Sequence, residues 1–469
     1  MLFNSVDFAL FFPRVFLVFW LLANRNIFLR NSFLLAASYL FYGWWDWRFL
    51  LLILFSSIVD YLVGLQLGQA DAPAKRKLLV GISIVTNLGL LAFFKYYNFF
   101  AESFVDAFSF FGRAIQINTL NIILPVGISF YTFQTMSYTL DIYRRKIKPV
   151  HDPVAFLAFV SFFPQLVAGP IERASNLLPQ FLEIRHFDEA KASAGFKQIV
   201  MGLFMKTAIA DRLGLYVAAV YGNVDHHNGM TFMVATVFFA IQIYCDFAGY
   251  SLIAIGCAKT LGFDLMDNFK RPYFAHSFKD FWSRWHISLS TWFRDYVYIP
   301  LGGSRGSEGR TYANLFTTFV ISGLWHGANW TFIIWGALHG FFQTVEKALQ
   351  NAQRVRLPRS VSIVLVFTLT CFAWIFFRSA SVPEAFQIIE RIILHPGHRI
   401  YTGDLGIFSF ALLAILFLLI TEWIAEFRPD WTLLYHRSYA VRVFSTSFLI
   451  LYMAGLGVFD NSQFIYFQF

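Results

Sequence analysis

Apolar stretches, several of them shorter than a full span, recur along the whole chain and restrict what it can fold into. They occupy residues 8–22, 32–43, 49–67, 78–94, 122–140 and 154–168 in the first part of the sequence. The second part repeats the pattern at 199–220, 231–261, 312–324, 330–348, 361–377, 407–424 and 444–458. A spanning helix needs about 20 predominantly apolar residues, and runs of this kind mark such helices. Composition agrees: 57% of the 469 residues are hydrophobic, 14% are charged, and phenylalanine alone occurs 59 times. Soluble domains carry about 25% charged residues. The expectation is an all-α polytopic membrane protein of about 11–13 transmembrane helices. It forms one integral-membrane domain over residues 1–469, with no internal repeat and no soluble domain.

The formal charge is +9. Its basic residues gather in short loops between apolar runs, as cytoplasmic loops do, and no nucleic-acid-binding motif accompanies them. Arg25 and Arg30 follow the first run, Lys75, Arg76 and Lys77 the third, and Arg144, Arg145, Lys146 and Lys148 the fifth. That asymmetry predicts an N-terminus outside, and Arg354 and Arg356 mark a further cytoplasmic loop. The first run lacks a cleavage site of small residues and reads as a retained helix. Cys245, Cys257 and Cys371 lie in apolar runs without a C-x-x-C pair, so they read as small buried hydrophobes.

Two segments depart from plain spans. Residues 278–298, "FKDFWSRWHISLSTWFRDYVY", are too charged to cross lipid alone. On a helical wheel Phe278, Phe281, Trp282, Trp285, Leu289, Trp292, Phe293 and Tyr296 form one stripe, with Lys279, Ser283, His286 and Ser290 along its edge. The segment predicts an amphipathic helix, interfacial or packed in the bundle. Residues 311–345 contain no Asp, Glu, Lys or Arg, yet they hold His326 and His339. Thirty-five helical residues would measure ~52 Å against a hydrocarbon core of ~30 Å. Two helices broken near Gly327, Ala328 and Asn329 resolve the mismatch and put His326 at the break, in a recess.

A histidine in a desolvated recess stays neutral and suits a general base; the plainer reading is a structural histidine bonded to a carbonyl. His339, thirteen positions further on, falls on another face and reads as packing. His286 is either an interfacial histidine in water or a second active-site group. Asp246 is a lone acid in an apolar run and needs a cation; Arg284 is one choice. The turn at Gly327 and Asn329 is a possible source of oxyanion donors. There is no G-x-S-x-G, H-E-x-x-H, Walker A or H-x-x-x-x-D pattern, and His395 and His398 are too sparse for a metal site.

Five stretches carry a family resemblance: "LPVGISFYTFQTMSYTLDIYRR" (124–145), "FFPQLVAGPIER" (162–173), "RPYFAHSFKDFWSRWHISLSTWFRDYVYIPLGGSR" (271–305), "GLWHGANWTFIIWGALHG" (323–340) and the tail "FIYFQF" (464–469). In these the chain resembles the membrane-bound O-acyltransferases, in their bacterial polysaccharide O-acetylation branch. The resemblance implies helices, some interfacial or re-entrant, around a central tunnel, with a catalytic core at about 120–350. It implies His326 of W-H-G and His286 of R-W-H-x-S as the catalytic pair, with Asp246, Arg284, Trp325, Asn329, Ser290 and Trp285 as supporting tunnel residues. Many relatives carry an acid after D-F-x-G-Y-S; Leu252 stands there in this chain. The implied reaction moves an acyl group, acetyl first, from a cytoplasmic thioester to an extracytoplasmic polysaccharide. The donor would be acetyl-CoA or an acyl-carrier conjugate, with no permanently bound cofactor and no metal. The implied setting is the bacterial inner membrane, with a separate extracytoplasmic acyltransferase and a polysaccharide biosynthesis complex as partners. The competing readings are a flippase for a lipid-linked sugar and a non-catalytic scaffold for a synthase.

Overall fold

The computed structural model describes residues 1–110, 119–351, 357–428, 431–459 and 464–465. The loop bearing Arg354 and Arg356 and tail positions 466–469 lie outside the described residues. The described residues are helical, with no strand among them. In order they form α1 (Val6–Leu21), α2 (Ile27–Asp46), α3 (Leu50–Gln69), α4 (Pro73–Leu91), α5 (Tyr97–Phe110), α6 (Ile128–Tyr143), α7 (Pro153–Ser161), α8 (Glu189–Leu203) and α9 (Asp211–Tyr221). There follow α10 (Gly229–Thr260), α11 (Phe278–Arg284), α12 (Ile287–Phe293), α13 (Glu308–His326), α14 (Trp330–Asn351), α15 (Arg359–Arg378), α16 (Val382–Leu394), α17 (Leu405–Phe427) and α18 (Tyr439–Leu456).

Seven helical segments among the described residues are long and apolar enough to cross a membrane. Two of these, Ile27–Gln69 and Pro73–Ser109, hold more than one helix. The remaining apolar runs make shorter or more polar helices. α6 and α7 have 16 and 9 residues, rises of ~24 and ~14 Å that fall short of the hydrocarbon core. Leu412, Leu413, Leu416, Leu419 and Ile420 of α17 are exposed, as a lipid-facing surface requires. The three cysteines are buried and unbridged.

The chain divides into two compact units, residues 1–196 with 254–266, and residues 197–253 with 267–469. In the first, α3 approaches α6 so closely that a Cβ on Gly64 would meet the Tyr138 ring at 2.6 Å. Arg76, one of the loop cations, is buried there. It donates to Leu67 O and Ala70 O at the end of α3 and to Ile142 O and Tyr143 O at the end of α6. One guanidinium thus satisfies the open carbonyls of two helix C-termini, where the dipole also favours a cation.

The second unit contains every candidate site residue. A glycine seam joins α13 and α14 into a hairpin: a Cβ on Gly336 would lie 2.4 Å from Phe319 O and 3.0 Å from Gly323 Cα. The break falls at Gly327–Asn329, where the length argument placed it, and the two arms have 19 and 22 residues. A π-helical stretch, Phe204–Ala210, links α8 to α9. Within it, buried Lys206 bridges Asp211 at 2.7 Å and Asp246 of α10 at 2.6 Å.

Both features are testable by thermal unfolding of the purified protein in detergent. Gly336→Ala forces the hairpin apart and is expected to cost about 1–3 kcal/mol, the usual penalty of overpacking. Lys206→Met leaves Asp211 and Asp246 facing each other in a dry core and is expected to cost about 3–5 kcal/mol. Replacing both acids by Asn and Leu in that background should recover much of the loss. Unchanged melting in Lys206→Met would remove the ion triad from the account of stability.

Candidate active site

The segment 278–298 is not one helix. α11 ends at Arg284, Trp285 is extended, and His286 takes a left-handed conformation, φ +43°, as the N-cap of α12. A β-carbon-bearing residue there costs about 1–3 kcal/mol, so the surrounding structure must enforce it. The enforcing residue is Asn268. Its carbonyl accepts Ile287 N–H at 2.9 Å. Its Oδ1 faces His286 Nδ1 at 3.0 Å, Ser288 N at 3.3 Å and Ser288 Oγ at 2.8 Å. Its Nδ2 donates to Ser251 Oγ of α10 at 3.0 Å.

The turn carries His286 inward. It is 0% exposed, against the wet interfacial position that the polar edge of the stripe suggested. Phe247 meets its ring edge-on at 4.5 Å. His326, the last residue of α13, is 2% exposed. Trp325, Trp335 and Phe377 surround it at 5.0, 4.9 and 5.7 Å, all edge-to-face. The two imidazoles, forty positions apart in sequence, have ring centroids 6.5 Å apart. Two imidazoles therefore lie close to one another among buried aromatic side chains. Groups so placed can pass a proton to or from a small reactant held between them.

The other expected residues divide. Trp325 is buried beside both histidines. Trp285, also buried, turns to the opposite aromatic layer, stacking on Phe281 at 5.7 Å and contacting Trp374 at 5.2 Å. Ser290 Oγ donates to Trp285 O at 3.1 Å; Ser288 is the serine beside His286. Asn329 caps α14, accepting Thr331 N–H, and its amide donates to Ala380 O at 3.1 Å. Gly327 N–H returns to Gly323 O, so these two donors of the break are already committed. His339 packs between Trp282 and Trp335, 5.0 Å from each, as a core residue.

The suggested pairing of Asp246 with Arg284 does not occur. Arg284 binds Asp280 at 2.8 Å and Glu426 at 3.0 Å, because its position at the end of α11 directs it toward α17. Asp246 takes Lys206 instead, and its second oxygen accepts Ile465 N–H at 2.8 Å. Lys206 was legible as a basic residue inside the apolar run 199–220. Asn268 and Ser288 gave no such signal, since their role depends on a turn that brings positions 18 and 20 residues apart together.

The profile of the MBOAT, membrane-bound O-acyltransferase, family matches residues 40–382. A probable alginate O-acetylase of Pseudomonas aeruginosa is 41% identical over 395 residues, 84% of this chain and 75% of that protein. The probable alginate O-acetylase of Pseudomonas putida is 36% identical and aligns over 100% of both chains. A peptidoglycan O-acetyltransferase of Helicobacter pylori is 33% identical over 84% of this chain and 80% of its own. The matched region contains His286, His326 and each of the other expected site residues, and the chain is an acyltransferase belonging to the membrane-bound O-acyltransferase family.

Proposed function

We propose that the protein takes an acetyl group from a cytoplasmic thioester and passes it across the inner membrane for O-acetylation of an extracytoplasmic polysaccharide, alginate first among them. The observation that carries this reading is the facing pair His286 and His326, both buried and 6.5 Å apart. Substrate class follows the relatives, two of which are named as probable alginate O-acetylases. The donor is acetyl-CoA or an acyl-carrier thioester, substrates that arrive and leave rather than resident cofactors. A separate extracytoplasmic acyltransferase completes delivery within the polysaccharide biosynthesis complex, and the N-terminus lies outside.

The chemistry asks little of the protein beyond placement and proton transfer. An acceptor hydroxyl gives its proton to the neutral His326 imidazole as its oxygen attacks the thioester carbonyl. The C–O bond forms, the C–S bond breaks, and the departing sulfur takes that proton back from His326, leaving a free thiol, an oxygen ester and a neutral imidazole. His286, close beside His326, orients a reactant by accepting a hydrogen bond from one of its O–H or N–H groups. Aromatic walls keep water from hydrolysing the thioester and strengthen each charge contact by lowering the local dielectric.

His326→Ala is expected to lower transfer by about 10²-fold or more, the usual contribution of a positioned acid–base group. O-acetyl content of the exported polysaccharide measures it in cells. In liposomes, labelled acetyl thioester should label an added hydroxyl acceptor with the wild type and not with His326→Ala. His286→Ala is expected to behave alike. Wild-type acetylation at normal expression would remove either residue from the chemistry, and sugar movement without label transfer would make the protein a transporter.

A further inference from the structure

We infer that Asn268 is a positioning residue that places the proton of His286 on Nδ1 and so presents Nε2 as the reacting nitrogen; the inference rests on the role proposed above for His286. The argument begins with a group whose proton cannot move. Ser288 N–H is a backbone donor, so the Asn268 side-chain atom facing it must be the carbonyl oxygen and not the amide nitrogen. The other end agrees, because Asn268 Nδ2 points at the hydroxyl of Ser251. With Oδ1 fixed as an acceptor, His286 Nδ1 at 3.0 Å must donate. A neutral imidazole carries one N–H, so its Nε2 holds the lone pair. Ser288 Oγ donates to the same oxygen at 2.8 Å, which saturates it and leaves the rotated amide no better arrangement.

The same residue also fixes where the ring lies. Asn268 O accepts Ile287 N–H, the first amide after the left-handed His286. Backbone and side chain of one asparagine therefore hold both the strained turn and the tautomer. Ser251 carries this on to α10, five positions after Asp246 in the D-F-A-G-Y-S run. The aromatic faces on the ring are Phe247, Phe269 and Trp325, and the titratable group opposite it is His326. A neutral amide is the right partner in such a place. It orients the imidazole without adding a charge that would hold it protonated.

The test uses the full-length protein in liposomes with labelled acetyl thioester, read as kcat and KM against pH. Asn268→Asp keeps an oxygen acceptor in place and brings a carboxylate to Nδ1. The expected result is a retained fold and an acid limb of the kcat profile moved to higher pH by about one unit or more, because the imidazolium gains a counter-charge. Asn268→Ala removes the acceptor and should lower kcat at every pH with little change in KM. In a serine-protease triad the wrong tautomer costs about 10⁴-fold. A melting curve separates misfolding in Asn268→Ala from loss of positioning, and Asn268→Asp carries the test if that variant does not fold. If His286→Ala abolishes turnover while both Asn268 variants keep the wild-type rate and pH profile, the inference falls alone. If His286→Ala keeps full turnover, the reading of the site falls and the inference with it.

Discussion

Polar groups withdrawn from water are costly unless they find partners inside the chain, and the cost is greatest for charges and backbone groups in a lipid setting. Arg76 spends its guanidinium on four helix-end carbonyls. Lys206 lies between two acids. Asn268 takes up the donors of a strained turn that would otherwise be buried without acceptors. Each pairing also fixes the distance between two elements, so satisfying polar groups is how the fold acquires a rigid site. The D-F-A-G-Y-S run on α10 shows the principle within six residues. Asp246 holds Lys206 and the amide of Ile465, Phe247 packs on His286, Gly249 admits the backbone of Gly202, and Ser251 holds Asn268.

Local period and length carried the parts of this organisation that could be read from sequence. The hairpin break at Gly327–Asn329 follows from comparing helical rise with bilayer thickness, and His326 follows from the break. The long helix α10 was legible as a run of apolar residues, and it spans 32 residues without interruption. His286 was legible as a motif but not as a place. A helical wheel assumes a continuous helix, and the assumption failed at Trp285 and His286, where Asn268 offers bonds that a helix would not. The same error assigned Ser290 the position that Ser288 holds. Asp246 has the cation that an acid in an apolar run requires, but it is Lys206 and not Arg284, because helix packing puts the π-helical turn of Lys206 against α10.

The two imidazoles meet their surroundings in different ways. His286 is held by hydrogen bonds to an amide and a turn, which fix its ring and its proton together. His326 meets Trp325, Trp335 and Phe377 edge-to-face, contacts that fix the plane of its ring. The placement of each ring therefore depends on residues distant in sequence, Asn268 for His286 and Trp335 of α14 with Phe377 of α15 for His326.

The restraint on His326 is set by residues that take no part in the chemistry. Trp335 lies between His326 and His339, at 4.9 and 5.0 Å, and is carried on α14 one residue before Gly336. Its depth relative to α13 is fixed by how closely Gly323 and Gly336 bring the two backbones. A side chain at either glycine would shift Trp335 away from His326 even if every residue around the imidazole were unchanged. Misplacement of about 1 Å can cost about 10²-fold in rate. Gly323 and Gly336 therefore belong to the site as much as the histidine does: they set the spacing at which the aromatic side chains meet it.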